Sequence, residues 1–113
     1  MSDLRKMKCV ACRGDEPRLT EQQIEALLPQ VNGWQVKEVV GVPHLEQVFK
    51  FKNFLEALAF TNRIGEVAEE EDHHPKLVTE WGRVTVDWWT HKIGGLHQND
   101  FIMAAKTDEI YAR

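Results

Sequence analysis

The chain has 113 residues, 42% of them apolar and 28% charged, with a formal net charge of −4. That length suits one domain with its own core, and that balance excludes disordered, fibrous and low-complexity classes. The longest unbroken apolar run, Phe101 to Ala105, is far short of the ~20 residues that a membrane helix needs, and Met1 to Lys8 hold no apolar stretch that would serve as a secretory signal.

The acidity is local. Residues 61–80 set Arg63 and Lys76 against Glu66, Glu69, Glu70, Glu71, Asp72 and Glu80, which accounts for the whole excess. No basic stripe remains to neutralise phosphates, so no direct nucleic-acid partner is expected.

Residues 1–18 read as a polar arm with Gly14, Pro17 and no periodicity. Cys9 and Cys12 form a CxxC there. A structural zinc site needs a second pair, and a redox CxxC needs a preceding strand; neither is present. Two thiols on a mobile terminal arm is the simpler reading. Without a disulfide framework the expected compartment is the cytoplasm.

Thr20 and Gln23 make a capping box, and Ile24, Leu27, Leu28 and Val31 follow at helical spacing until Pro29 and Gly33 stop them. Trp34 to Val40 reads as a strand, Gly41-Val42-Pro43 as a turn, and His44 to Phe51 as a second strand of a hairpin. Asn53 caps a helix reaching Asp72, with Phe54, Leu58, Thr61, Ile64 and Ala68 as its expected core stripe. Pro75 ends that helix, leaving His73 on its last turn and His74 just beyond. Strands follow at Lys76–Glu80 and Val84–Thr90; Val84, Val86 and Trp88 face one way, Thr85, Asp87 and Trp89 the other. After Gly94-Gly95 a last helix covers Gln98 to Ala112. The order α–β–β–α–β–β–α predicts an α+β two-layer sandwich: a four-stranded antiparallel sheet with helices on one face.

Three of the five histidines, His73, His74 and His91, fall close together. Imidazole is the side chain suited to moving protons at neutral pH. On a helix, Glu69 lies one turn before His73, so its carboxylate and the negative helix end are expected to hold that ring as imidazolium, a proton donor. A purely capping role for His73 remains open. A zinc site made by these residues is disfavoured, because HxxxH and HxH spacings are absent. His44 and His97 lack such company and are expected at the surface. Four tryptophans without interleaved basic residues argue for core or pocket packing over base stacking.

Glu69-x3-His73-His74-Pro75, then Trp81, His91 and Asp100 at their spacings, resembles the signature of the pterin-4a-carbinolamine dehydratase family. The resemblance covers residues 19–113 as one domain and includes Phe49-Lys50-Phe51-Lys52-Asn53-Phe54 and Thr90-His91. It implies removal of water from a 4a-hydroxytetrahydropterin to give the quinonoid dihydropterin, in tetrahydrobiopterin recycling beside an aromatic amino-acid hydroxylase. It further implies that His73 and His91 are the acid/base pair and that His74 binds and orients substrate. Glu69, Asp72 and Asp100 would support these groups, and Pro75, Thr90 and Lys92 would line the pocket. No metal, nucleophile or redox cofactor is implied, and a homodimer or homotetramer is. Two other roles stay open: a dimerisation partner of a transcription factor, and a related pterin activity in molybdopterin metabolism. The arm lies outside the resemblance and is expected to be dispensable.

Overall fold

Thr20 begins the first helix as its capping box requires: Thr20 Oγ1 accepts from the Gln23 amide at 3.2 Å, and Gln23 Oε1 accepts from the Thr20 amide at 2.8 Å. The computed structural model describes residues 3–10 and 17–112. Helix α1 spans Glu21–Leu27 and tightens into a 3₁₀ turn at Leu28–Gln30. Strands β1 (Gln35–Val39) and β2 (Val42–Lys50) form a hairpin, followed by helix α2 (Phe54–Glu71). Strands β3 (Lys76–Glu80) and β4 (Arg83–Trp88), a 3₁₀ turn at His91–Ile93 and helix α3 (Gln98–Ala112) complete the order. The sheet is antiparallel in the order β1-β2-β4-β3. This is the predicted α+β sandwich.

Register sorts the two faces. Leu45 opposes Trp88, Gln47 opposes Val86 and Phe49 opposes Val84. Leu45, Phe49, Val84, Val86 and Trp88 are all buried on the face that α2 and α3 cover. The hairpin turn differs from the expected Gly41-Val42-Pro43. It is the two-residue turn Val40-Gly41, with φ of +51° and +77°, the geometry that matches the twist of paired strands. Strand β2 therefore starts at Val42, and Pro43 pairs only with Glu38 on the edge strand.

The stripe of α2 also differs. Ala57, Phe60, Ile64 and Ala68 face the core, while Phe54 and Leu58 are 44% and 37% exposed. Both sets have helical spacing. The small Ala57 and Ala68 let the helix approach the sheet, and Phe60 then reaches Phe49 and Phe51, each at 5.0 Å between ring centroids.

Residues 3–10 are fastened to the domain, contrary to the expectation of a free arm. Leu4 is 5% exposed and joins the core, and Lys106 Nζ donates to the Arg5 carbonyl at 2.9 Å. Leu4, Met7, Cys9 and Val10 are too few and too irregularly spaced among polar residues to show a period. Cys12 and Gly14 lie outside the described residues.

His44 is likewise not at the surface. On the sheet face away from the helices, its Nδ1 lies 3.0 Å from Asp87 Oδ2, and its ring stacks on Trp89 at 3.7 Å and 3°. His44 and Asp87 are 4% and 3% exposed. Diagonal neighbours on adjacent antiparallel strands meet in this way, and the indole closes over them. Among the described residues no helix is long and apolar enough to cross a membrane.

Candidate active site

The end of α2 decides where the histidines go. Asp72 adopts the left-handed conformation, φ +52° and ψ +42°. The Asp72 amide donates to Glu69 O at 3.2 Å and the His73 amide to Ala68 O at 3.1 Å, the two bonds of a Schellman ending. His73 thus lies beyond the helix rather than on its last turn. The reversal swings its ring inward, where Nε2 lies 2.6 Å from Asp100 Oδ1. His74, held extended by Pro75, returns over the helix, and its Nε2 lies 2.8 Å from Glu69 Oε1. The expected Glu69–His73 pair is therefore replaced by Glu69–His74, because helical spacing stops counting at a left-handed residue.

Asp100, near the start of α3, is fully buried. Its Oδ2 accepts from Thr90 Oγ1 and from the His97 amide, each at 2.9 Å. With both oxygens engaged, the carboxylate is an acceptor that fixes His73 Nε2 as the donor and leaves Nδ1 as the second ring position. The half-buried His97 accepts the Asn99 amide on Nδ1 at 3.0 Å, so its ring helps shape this turn instead of standing free at the surface.

His91 is placed from the other side. The Thr90 amide donates to Gly95 O at 2.9 Å, and Gly94 turns the 3₁₀ segment back with φ +60°. The ring of His91 then lies against Trp89, centroids 4.4 Å apart at 29°. Trp89 in turn rests on His44 and its partner Asp87. A chain of contacts thus runs from the sheet to the exposed imidazole.

These elements enclose a cleft of ≈ 670 Å³, within the range of small-molecule sites. Asp72, His73, His74, Thr90, His91 and Lys92 line it, six of the residues expected there. Asp100 stands behind His73, and Glu69 behind His74. Pro75 is half-buried where the chain enters β3. Four liners were not anticipated: Cys9, Val10, Glu71 and Asn99. Asn99 is 2% exposed and bonds to Val10, 89 residues away; no local pattern announces such a pairing. Burial, reinforced by the Glu71 and Asp100 carboxylates, pushes the Cys9 thiol up to about 12, so it is a neutral donor and not a nucleophile. Among the described residues no group of three His, Cys, Asp or Glu side chains is disposed to hold a metal ion. A second hollow of ≈ 590 Å³ beside Phe60, Arg63 and Tyr111 contains no histidine.

Fold and cleft together define a small α+β protein whose site is built on histidine and carboxylate. Residues 17–110 match the family Pterin 4 alpha carbinolamine dehydratase. Relatives named "Putative pterin-4-alpha-carbinolamine dehydratase" occur in Saccharophagus degradans, 56% identical over 98% of both chains, and in Nitrosococcus oceani, 57% identical over 97% of both. A crystal structure described as "transcriptional coactivator/pterin dehydratase from Brucella Melitensis" is 36% identical with a TM-score of 0.75, covering 83% of this chain and 98% of its own. A pterin dehydratase-like RuBisCO assembly factor of the alpha-carboxysome shares the fold, at 20% identity and a TM-score of 0.60, over 71% of this chain and 90% of its own. The chain belongs to the pterin-4a-carbinolamine dehydratase family.

Proposed function

We propose that the protein removes water from a 4a-hydroxytetrahydropterin, using His73 and His91 as its acid/base pair. The observation that carries this reading is the convergence of His73, His74 and His91 on one cleft, with His73 backed at 2.6 Å by a fully buried carboxylate. In the reaction the C4a–O bond breaks as the hydroxyl oxygen takes a proton and leaves as water. The N–H electron pair of the adjacent ring nitrogen becomes a C=N bond, and a base takes that proton. The product is the quinonoid dihydropterin, and atoms balance without an oxidant.

His73 suits the base rather than the proton donor expected from a Glu69 partner, because its Nε2–H donates to Asp100 and Nδ1 keeps a lone pair. His91, exposed and stacked on Trp89, suits the acid. His74 and Lys92 bind and orient the heterocycle, with Asp72 and Thr90 completing the wall. Such a pair supplies general acid–base catalysis of ~10²–10⁴-fold, with no metal, nucleophile or redox cofactor. In the cytoplasm the substrate would come from an aromatic amino-acid hydroxylase, which ties the activity to tetrahydrobiopterin recycling. His73→Ala and His91→Ala should each lower kcat with little change in KM, whereas normal kcat in both would overturn the reading.

We also propose a homo-oligomer. β1 and β3 are five-residue edge strands, and exposed edges invite pairing. Phe54, Leu55 and Leu58 leave an apolar patch on α2. Light scattering should report at least a dimer; a monomer mass at micromolar concentration would contradict it. The same patch is what a binding partner of the coactivator kind would use, and substituting it should leave dehydration intact if that role exists.

A further inference from the structure

We propose that residues 3–10 form a strap that makes one wall of the pterin cleft, and that Asn99 is the positioning residue that seats it. The ligand's identity rests on the dehydratase reading above; the strap's placement does not.

Asn99 is buried, and its amide group is devoted to Val10. Asn99 Oδ1 accepts from the Val10 amide at 3.0 Å, and Nδ2 donates to the Val10 carbonyl at 2.8 Å. A side-chain amide here mimics a peptide and pairs with the strap as a neighbouring strand would. One residue earlier, the Cys9 amide donates to Glu71 Oε1 at 2.7 Å. Consecutive amides of the strap are thus clamped to two elements, the end of α2 and the start of α3. Those are the ends that carry His73 and Asp100.

Stability alone does not account for this arrangement. Burial of Leu4 and the Lys106–Arg5 bond already hold the distal part of the strap. The Val10 side chain is 61% exposed, so hydrophobic burial does not order its backbone. What the clamps achieve is position. They set Cys9 and Val10 in the cleft wall beside His73, His74 and His91. The wall narrows the cleft to a planar ligand and contributes binding without touching the proton transfers, so it acts on KM more than on kcat.

Val10→Pro tests this at an exposed site, since it deletes the amide that Asn99 accepts and leaves the core intact. KM for the carbinolamine should rise about tenfold, with kcat within about twofold. Val10→Ala keeps the amide and should raise KM less. Asn99→Ala should resemble Val10→Pro, and Asn99→Asp, which still accepts but cannot donate, should fall between.

A second measurement is independent of turnover. Hydrogen–deuterium exchange of the Cys9 backbone amide, which donates to Glu71 Oε1, is followed by mass spectrometry with and without 7,8-dihydropterin. The dihydropterin should slow the exchange at least threefold, and Val10→Pro should accelerate it. Unchanged KM in Val10→Pro, together with no protection of Cys9 in an active enzyme, would overturn the strap and leave the dehydratase reading standing. Protection of Cys9 in a protein that does not dehydrate the carbinolamine would overturn the dehydratase reading and support the strap.

Discussion

His73 and Asp100 are joined Nε2 to Oδ1 at 2.6 Å, and they come from elements 27 residues apart in sequence. The carboxylate also takes the Thr90 hydroxyl and the His97 amide. One buried group therefore fixes the end of α2, the turn after β4 and the start of α3 relative to one another.

Asp100→Asn should lower kcat about 10²-fold or more, because the amide no longer favours one tautomer of His73. Asp100→Ala should in addition cost about 3 kcal/mol of stability, since buried donors lose their acceptor. Steady-state kinetics and thermal melts separate the two effects. An Asp100→Asn enzyme with parental kcat would show that the pair is structural only.

Glu69 and His74 make an exposed pair, 82% and 56% open at the side chain. Such pairs contribute at most about 1 kcal/mol. Glu69→Gln should therefore leave kcat within twofold, whereas His74→Ala should raise KM while kcat holds. Abolished turnover with normal KM in His74→Ala would reverse the roles of the histidines.

The His44–Asp87 pair is buried on the sheet face away from the helices. His44→Ala leaves a carboxylate in a dry setting without its partner, at a cost of about 3–5 kcal/mol. Changing both residues together, His44→Leu with Asp87→Val, should recover most of that loss. Denaturant melts of His44→Leu, Asp87→Val and the double variant decide it: a double variant whose loss equals the sum of the two single losses would mean that the pair is not coupled. Because Trp89 rests on His44 and carries His91, His44→Ala should also lower kcat.

Asp108 accepts from Trp34 Nε1 at 3.0 and 3.1 Å and from Gln47 Nε2 at 3.3 Å. Burial pushes its carboxyl above the ordinary value of 3.8, and these bonds offset that only in part. The folded state therefore holds this proton more tightly than the unfolded chain does. Its stabilising contribution is present below pH 3.8 and is lost as pH rises through the raised value. Asp108→Asn should lose less melting temperature than the parent as pH rises from 3.8. Parallel melting curves over that range would contradict the assignment.

The fold was legible because its signals are periodic or punctuated. Thr20 with Gln23, Asn53, the alternation of Val84, Val86 and Trp88, and Gly94 all act where they stand. In the cleft, His73, His74 and His91 were legible as a group, from their clustering and from a spacing that resembles a family signature. Their partners were not. Glu69 pairs with His74 because a left-handed Asp72 redirects the chain, and a helical wheel cannot anticipate that residue's conformation. His44 was hidden because its company, Asp87 and Trp89, comes from another strand. The Asn99–Val10 clamp depends on tertiary closure between the two ends of the chain.

The central claim, that this cleft dehydrates a pterin carbinolamine through imidazole acid/base chemistry, is tested most directly by mixing purified protein with a 4a-hydroxytetrahydropterin. Formation of the quinonoid dihydropterin is followed by ultraviolet absorbance against the spontaneous reaction. The parent should accelerate the loss of water at least 10²-fold, and His73→Ala combined with His91→Ala should return the rate to that of buffer. A folded parent protein that dehydrates the carbinolamine no faster than buffer would contradict the account.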